Sequence, residues 1–292
     1  MGNPPPTGAP TPRQSPDSKS RPASNSKRQA EVLRVLQITD THLYANRHGR
    51  LLGQSTRQTL DLVLDLALRT RGYPDLILVT GDLVQDASPE GYSYLKQRLT
   101  ALNTPCYCLP GNHDNASVMS RILEGNPVNA ITTLPGGTWN LVLLDSTTPG
   151  EEGGHLDAEQ LERLEDSLAT RPKHPALVCL HHQPVPVGSA WLDSIGLDNP
   201  EDFFGIIDRH PQIRGILWGH IHQEFSGHRN GACLLASPST CVQFLPDSED
   251  FALDTRTPGF RWLELHDDGH IDTGVERIAS YPDPLVVHNC GY

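Results

Sequence analysis

Long apolar runs are missing from this chain of 292 residues: stretches such as Leu76–Val79 and Leu141–Leu144 fall far short of the roughly 20 residues that cross a bilayer. The first thirty residues lack Val, Ile and Leu altogether, so they hold no apolar core of a secretory leader and the expected compartment is the cytoplasm. Cysteine is sparse, six residues with no C-x-x-C pair, which points to reduced, mostly buried thiols rather than a disulfide framework. A zinc site from Cys106 and Cys108 is the sharper alternative. Basic residues are also in deficit, 23 Lys+Arg against 35 Asp+Glu. An acidic surface releases no counterions to a polyanion, so nucleic acid is not the expected partner. If a substrate is anionic, something other than side-chain charge attracts it, and bound metal ions are the natural candidate.

What cation there is concentrates at the start. Arg13, Lys19, Arg21, Lys27 and Arg28 stand against Asp17 alone, among seven of the 25 prolines. With nothing to bury, residues 1–30 are expected to be a disordered, proline-rich basic tail; a nucleic-acid-binding arm is the alternative. From Glu31 onward composition is ordinary, which excludes a collagen-like or wholly disordered chain. The body is read as one domain over 31–275, followed by a C-terminal extension over 276–292.

Within the body, strand-like runs alternate with helical patterns. Strands are expected at Val32–Ile38, Leu76–Thr80, Cys106–Leu109, Thr138–Asp145, Ala176–Leu180, Ile213–Trp218, Cys233–Ala236 and Phe260–Leu265. Apolar residues at 60, 63, 64, 67 and 68 give a helix over 56–70 closed by Gly72 and Pro74. Ser88-Pro89-Glu90, Asp157 with Gln160, and Asn199-Pro200 are helix starts. This is an α/β fold, with sheets sandwiched between outer helices.

The informative fact is positional. Asp40, His42, Asp82, Asn112, His113, His181, His220 and His222 all fall just past the carboxyl ends of these strands, the edge where open α/β sheets bind ligands. Carboxylate, imidazole and amide oxygen without thiolate suit Mn, Fe or Zn. If Gly219-His220-Ile221-His222 is extended, its two imidazoles project to the same side.

In that order, Asp40-x-His42, Gly81-Asp82, Gly111-Asn112-His113-Asp114, His181 after an apolar strand, and Gly219-His220-x-His222 resemble the calcineurin-like metallophosphoesterases. Within that family, His181–Pro186, Ser189–Asp193, Gly219–Glu224, Ser237–Phe244, Leu253-Asp254-Thr255 and Pro258–Arg261 are similar to the bacterial class III 3′,5′-cyclic AMP phosphodiesterases of the CpdA type. The resemblance spans about Leu33 to Leu265. It implies a four-layer α/β/β/α sandwich with two divalent ions, Fe(2+) and/or Mn(2+). One ion would be held by Asp40, His42, Asp82 and His222, the other by Asp82, Asn112, His181 and His220, with Asp82 shared. His42, Asp82, Asn112, His113 and His222 would meet the substrate. Two such cations roughly 3.5–4 Å apart activate water and clamp a phosphoryl group. His113, beside a ligand but not one, would protonate the leaving O3′ or stabilise charge on phosphorus. The implied reaction turns cyclic AMP into 5′-AMP and so controls the intracellular level. A broader phosphodiesterase or phosphomonoesterase on the same site is the alternative, and a noncatalytic binding protein a third reading.

Several residues admit two readings. His182 is a packing residue or a substitute for His181, Asp114 orients His113 or caps its turn, and Trp191 and Phe244 stack a purine or simply pack. His155 follows Gly153-Gly154 in a loop that could border the site. His48, His155, His174, His210, His228, His266, His270 and His288 follow no metal spacing and are expected at the surface. Nothing in the sequence points to an oligomeric state.

Overall fold

The computed structural model describes residues 1–2, 32–125, 127–130 and 134–286; the basic tail from residue 3 on, His288 and Cys290 lie outside them. β1 (Val32–Ile38) leads into a ribbon of β2 (Arg50–Leu51) and β3 (Gln54–Ser55), then α1 (Thr56–Arg71), β4 (Leu76–Thr80), α2 (Pro89–Thr100), β5 (Cys106–Leu109), α3 (Ala116–Leu123), β6 (Val128–Ala130) and β7 (Leu134–Gly136). There follow β8 (Trp139–Leu143), α4 (Ala158–Thr170), β9 (Ala176–Cys179), α5 (Ala190–Asp193), α6 (Pro200–Ile207), β10 (Ile213–Trp218), β11 (Phe225–Arg229) and β12 (Ala232–Ala236). A ribbon of β13 (Gln243–Phe244) and β14 (Leu253–Asp254), then β15 (Gly259–His266) and β16 (Ile271–Arg277), complete the described elements.

Local chemistry accounts for the helices. α1 buries Leu60, Val63, Leu64 and Ala67 at helical spacing and stops where the Gly72 N–H donates to Leu68 O. Ser88 Oγ accepts from Gly91 N ahead of Pro89 in the first turn of α2, and Asp157 Oδ1 accepts from Gln160 N at the start of α4.

Two six-stranded sheets carry the fold, in the orders β16-β15-β1-β4-β5-β6 and β11-β12-β10-β9-β8-β7. β1, β4, β5 and β6 run parallel in the first, β8, β9, β10 and β12 in the second. Between the sheets pack Val35, Leu78, Leu109, Trp139, Leu177 and Leu217. Leu36, Ile38, Val79 and Cys108 face helices α1 to α3 on one side, and Val178, Ile216 and Trp218 face α4 and α6 on the other. The α/β/β/α layering read from the sequence is therefore the observed one, in a single domain. β16 runs through residue 275, and beyond it Arg50 pairs with Asp283 at 2.8 Å while Val286 N donates to Leu52 O, tying the described C-terminal residues to the β2–β3 ribbon. Among the described residues, no helix is long and apolar enough to cross a membrane.

A polar chain crosses the otherwise apolar gap between the sheets. Gln37 Nε2 donates to Thr80 Oγ1 at 2.8 Å and to Trp218 O at 3.2 Å, and Ser237 Oγ donates to Gln37 Oε1. Arg261, buried on β15, donates to Ser237 Oγ, to Thr273 Oγ1, and to the Ala236 and Phe225 carbonyls of the opposite sheet. Burial lowers its guanidinium to about 10. This chain holds the two sheets in register immediately behind the rim where the strands end.

Candidate dinuclear metal site

The parallel strands of both sheets deliver their carboxyl ends to one rim. Asp40 and His42 follow β1, Asp82 follows β4, Asn112 and His113 follow β5, His181 follows β9, and His220 and His222 follow β10. The rim is stitched by backbone groups: Asp40 N donates to Gly81 O, His42 N to Asp82 O, and His220 N to Asp40 Oδ1 at 3.0 Å.

Five of these residues sit in the left-handed region that L side chains rarely adopt: Asp40 at φ 53°, His42 at 43°, Asp82 at 52°, His220 at 65° and His222 at 48°. Each such position costs on the order of 1–3 kcal/mol and persists only where its surroundings enforce it. The condition that 219–222 be extended is not met. Ile221 N donates to Gly219 O at 2.7 Å in a tight turn, and the two imidazoles converge because His220 and His222 both turn left-handed, not because of a strand's alternation. Close approach does the rest. A Cβ on Gly111 would meet Asp82 Oδ1 at 2.1 Å, and one on Gly81, itself at φ +94°, would meet His181 Nδ1 at 2.2 Å.

Four of the rim histidines have their outer nitrogen committed to an oxygen. His42 Nδ1 lies 2.5 Å from Gln85 Oε1, His181 Nδ1 2.9 Å from Thr80 O, His222 Nδ1 2.9 Å from Val242 O, and His220 Nε2 3.1 Å from Ile195 O. Acceptors at these atoms leave the other nitrogen directed inward, as a lone pair in neutral His42, His220 and His222 and in His181 once its proton is displaced. The inward nitrogens converge on one another and on oxygens. His42 Nε2 and His222 Nε2 stand 3.0 Å apart, and His181 Nε2 is 3.2 Å from Asn112 Oδ1. Asp82 Oδ2 lies between the two sets, 3.8 Å from His42 Nε2 and 3.4 Å from His181 Nε2. Asp40 Oδ2 is buried with no hydrogen-bond partner, while its Oδ1 is 3.6 Å from His222 Nε2. An arrangement of converging acceptors and an orphaned carboxylate oxygen fits cations between them. Asp40, His42 and His222 form one group able to hold an ion, Asp40, Asp82 and His181 an adjoining one.

Electrostatics agree. Burial pushes His42 and His220 down to about 3, keeping the imidazoles neutral and able to ligate. Burial also pushes the Asp40 carboxyl up to about 8. For Asp82 burial acts upward too, but the surrounding imidazoles, His181 foremost, hold it well below the usual carboxylate range.

The neighbouring alternatives resolve. His182 has both nitrogens engaged, Nδ1 with Ser146 Oγ at 2.8 Å and Nε2 with Glu152 O at 3.2 Å, and packs edge-on against His181. Asp114 accepts from the N–H groups of Leu83, Val84 and Gly111 and from Tyr92 OH, and so clamps the turn. His113 N donates to Asp82 Oδ1 at 3.0 Å, and its ring sits edge-on to His42 with centroids 5.2 Å apart. His155 pairs with Asp198 at 2.7 Å. Cys106 and Cys108 are buried free thiols; burial raises both.

Above the site opens a cleft of about 270 Å³ lined by Asp82, Asn112, His113 and His220 and walled by Glu152, Trp191, Phe244 and Phe251. Trp191 meets Phe244 and Phe251 edge-on, at centroid distances of 5.0 and 5.4 Å, and Phe244 stacks on His222 at 4.1 Å. Phe244 thus packs a site histidine and, with Trp191 and Phe251, forms the wall. Gln85, Glu152 and Phe251 were not singled out from the sequence; only their places in the fold reveal them.

The model of the calcineurin-like phosphoesterases matches residues 33–224, the segment that carries every one of these rim residues. The chain belongs to that family. Within it, the chain is 44% identical over 269 residues to the 3′,5′-cyclic adenosine monophosphate phosphodiesterase CpdA of Pseudomonas aeruginosa, covering 92% of this chain and 98% of the relative. It is 43% identical to CpdA of Escherichia coli K12, covering 85% and 90%. Among solved calcineurin-like folds, a dimetal phosphatase from Danio rerio superposes with a TM-score of 0.59 at 18% identity, covering 84% of this chain and 99% of that one. A dinuclear centre is thus what both the family and the donor set fit.

Proposed function

We propose that this phosphoesterase is a 3′,5′-cyclic AMP phosphodiesterase that opens the cyclic diester to 5′-AMP in the cytoplasm. The observation that carries the chemistry is Asp82 Oδ2 lying between two sets of inward-facing imidazole nitrogens. The substrate is supported by relatives that bear that activity in their names and align over nearly the whole chain.

Asp40, His42, Asp82 and His222 would hold one ion, and Asp82, Asn112, His181 and His220 the other, with Fe(2+) and Mn(2+) matching the imidazole and oxygen donors. When bound, the pair supplies Lewis acidity and activation of water for in-line attack on phosphorus. Asp82 sets the spacing of the two sites, and Gln85, Thr80, Ile195 and Val242 hold the imidazoles in the ligating tautomer. His113 stands at the mouth of the cleft, where it donates a proton to O3′ as the P–O3′ bond breaks. Trp191 and Phe251 offer an apolar wall to the base.

The test is turnover of the Mn(2+)-loaded protein on cyclic AMP, cyclic GMP, 2′,3′-cyclic nucleotides and a chromogenic diester, with products identified by chromatography. Release of 5′-AMP with cyclic AMP the preferred substrate is expected. If cyclic AMP were the poorest of these, the substrate reading would give way to a broader phosphoesterase.

A further inference from the structure

Outside the cleft, the described residues contain one further cluster of mixed imidazole and carboxylate groups, at the end of the β15–β16 hairpin. We propose that this hairpin is a separate divalent-cation site, ligated by Glu264, His266, His270 and Asp272 and suited to Zn(2+).

Sequence spacing hides this site because its members come from two strands. Register assembles them. Glu264 and His266 are two apart on β15 and so share a face, Asp272 of β16 pairs directly with Glu264, and His270 lies two residues before Asp272. Donor atoms of Glu264, His266 and Asp272 lie within 4.8 Å of one another. His266 Nε2 is 2.9 Å from Asp272 Oδ2, and His270 Nε2 is 3.1 Å from Asp272 Oδ1. The His266 and His270 ring centroids are 5.5 Å apart, close to the 5.0 Å between His42 and His222 in the cleft. Two imidazoles with carboxylates at such separations match the tetrahedral N/O environment that Zn(2+) takes.

The hairpin end is held in place before any ion arrives. His266 N donates to His270 O at 3.0 Å, Trp139 Nε1 of the opposite sheet donates to His266 O at 2.9 Å, and Thr138 Oγ1 donates to Asp267 Oδ1 at 2.5 Å. Arg34, across from Glu264 on β1, is already engaged by Asp75 through bonds of 3.2 and 3.0 Å. Val32 at the start of β1 pairs with His266, whereas Asp40 lies past the other end of that strand, so the two sites are separated by about 20 Å of strand. An ion here would clip together the two strands at the open edge of the first sheet.

The experiment counts ions. Metal-stripped protein is dialysed against low-micromolar free Zn(2+) and its zinc content measured, alongside the double variant His266→Gln/His270→Gln and the control His210→Gln. One ion fewer per chain is expected in the double variant and no change in the control, with turnover on cyclic AMP unaltered in both. Glu264→Gln is expected to weaken Zn(2+) uptake at the same site, and Co(2+) loading to give a tetrahedral visible band that the double variant lacks. Equal zinc content in the wild type and the double variant, each with native circular dichroism, would overturn the proposal. The readout is a difference of one ion, so it stands or falls independently of how many the cleft holds or what the cleft hydrolyses.

Discussion

Gln85 Oε1 lies 2.5 Å from His42 Nδ1, and removing that acceptor frees the imidazole to rotate or change tautomer. Gln85→Ala should weaken binding of one cleft ion by about 10- to 100-fold, measured by competition with a chromophoric chelator; unchanged affinity would show that His42 needs no such restraint. His113 should separate from the ligands by the opposite pattern. His113→Ala is expected to keep its metal content while turnover falls by about 100- to 10,000-fold, and loss of an ion would make it a ligand instead. Proton competition gives a third expectation. Burial opposes charge on His181, but Asp82 and Asp40 override it and raise the imidazole to about 9. In the absence of a cation it therefore carries a proton at neutral pH that an ion must displace. Metal affinity of the stripped protein should rise with pH up to about 9, approaching tenfold per unit, and calorimetry in buffers of different ionisation enthalpy should detect the released proton. At this scale the sequence was informative, because carboxylate, amide and imidazole each follow a strand. It said nothing of Gln85 or of the carbonyls of Val242 and Ile195, whose roles arise from contacts 20 to 43 residues distant in the chain.

Elements were legible where local rules act alone. Ser88 caps α2 as its sequence promises, and Ser88→Ala should cost about 1 kcal/mol of stability in urea unfolding. α3 was not read: eight residues long, it buries only Met119 and Leu123, too few to show a period, although Asn115 caps it. The ribbons β2–β3 and β13–β14, two residues per strand, also fall below any pattern. The turn at 219–222 is not legible for a different reason. Left-handed histidines are unfavourable by intrinsic preference, and only the closure of the rim on Asp40 holds them there.

For the molecule as a whole, the donors divide between the sheets. Asp40, His42, Asp82 and Asn112 follow strands of the first, His181, His220 and His222 strands of the second. Ions bound to the native state alone stabilise it by mass action, about 4 kcal/mol at a thousandfold excess over the dissociation constant, so chelation should lower the melting temperature by several degrees. Arg261, reaching from one sheet to carbonyls of the other, should matter independently of metal. Arg261→Met is expected to lose about 3 kcal/mol, read as a shifted urea midpoint in chelated as well as loaded protein.

The split of donors across the two sheets also imposes an order on synthesis. When residue 113 has left the ribosome, four of the seven donors exist, yet their strand β1 still awaits its neighbour β15, whose residues end at His266. Cation capture would therefore await nearly the whole chain, and a nascent chain arrested before His222 would have no complete centre in which to trap a cation.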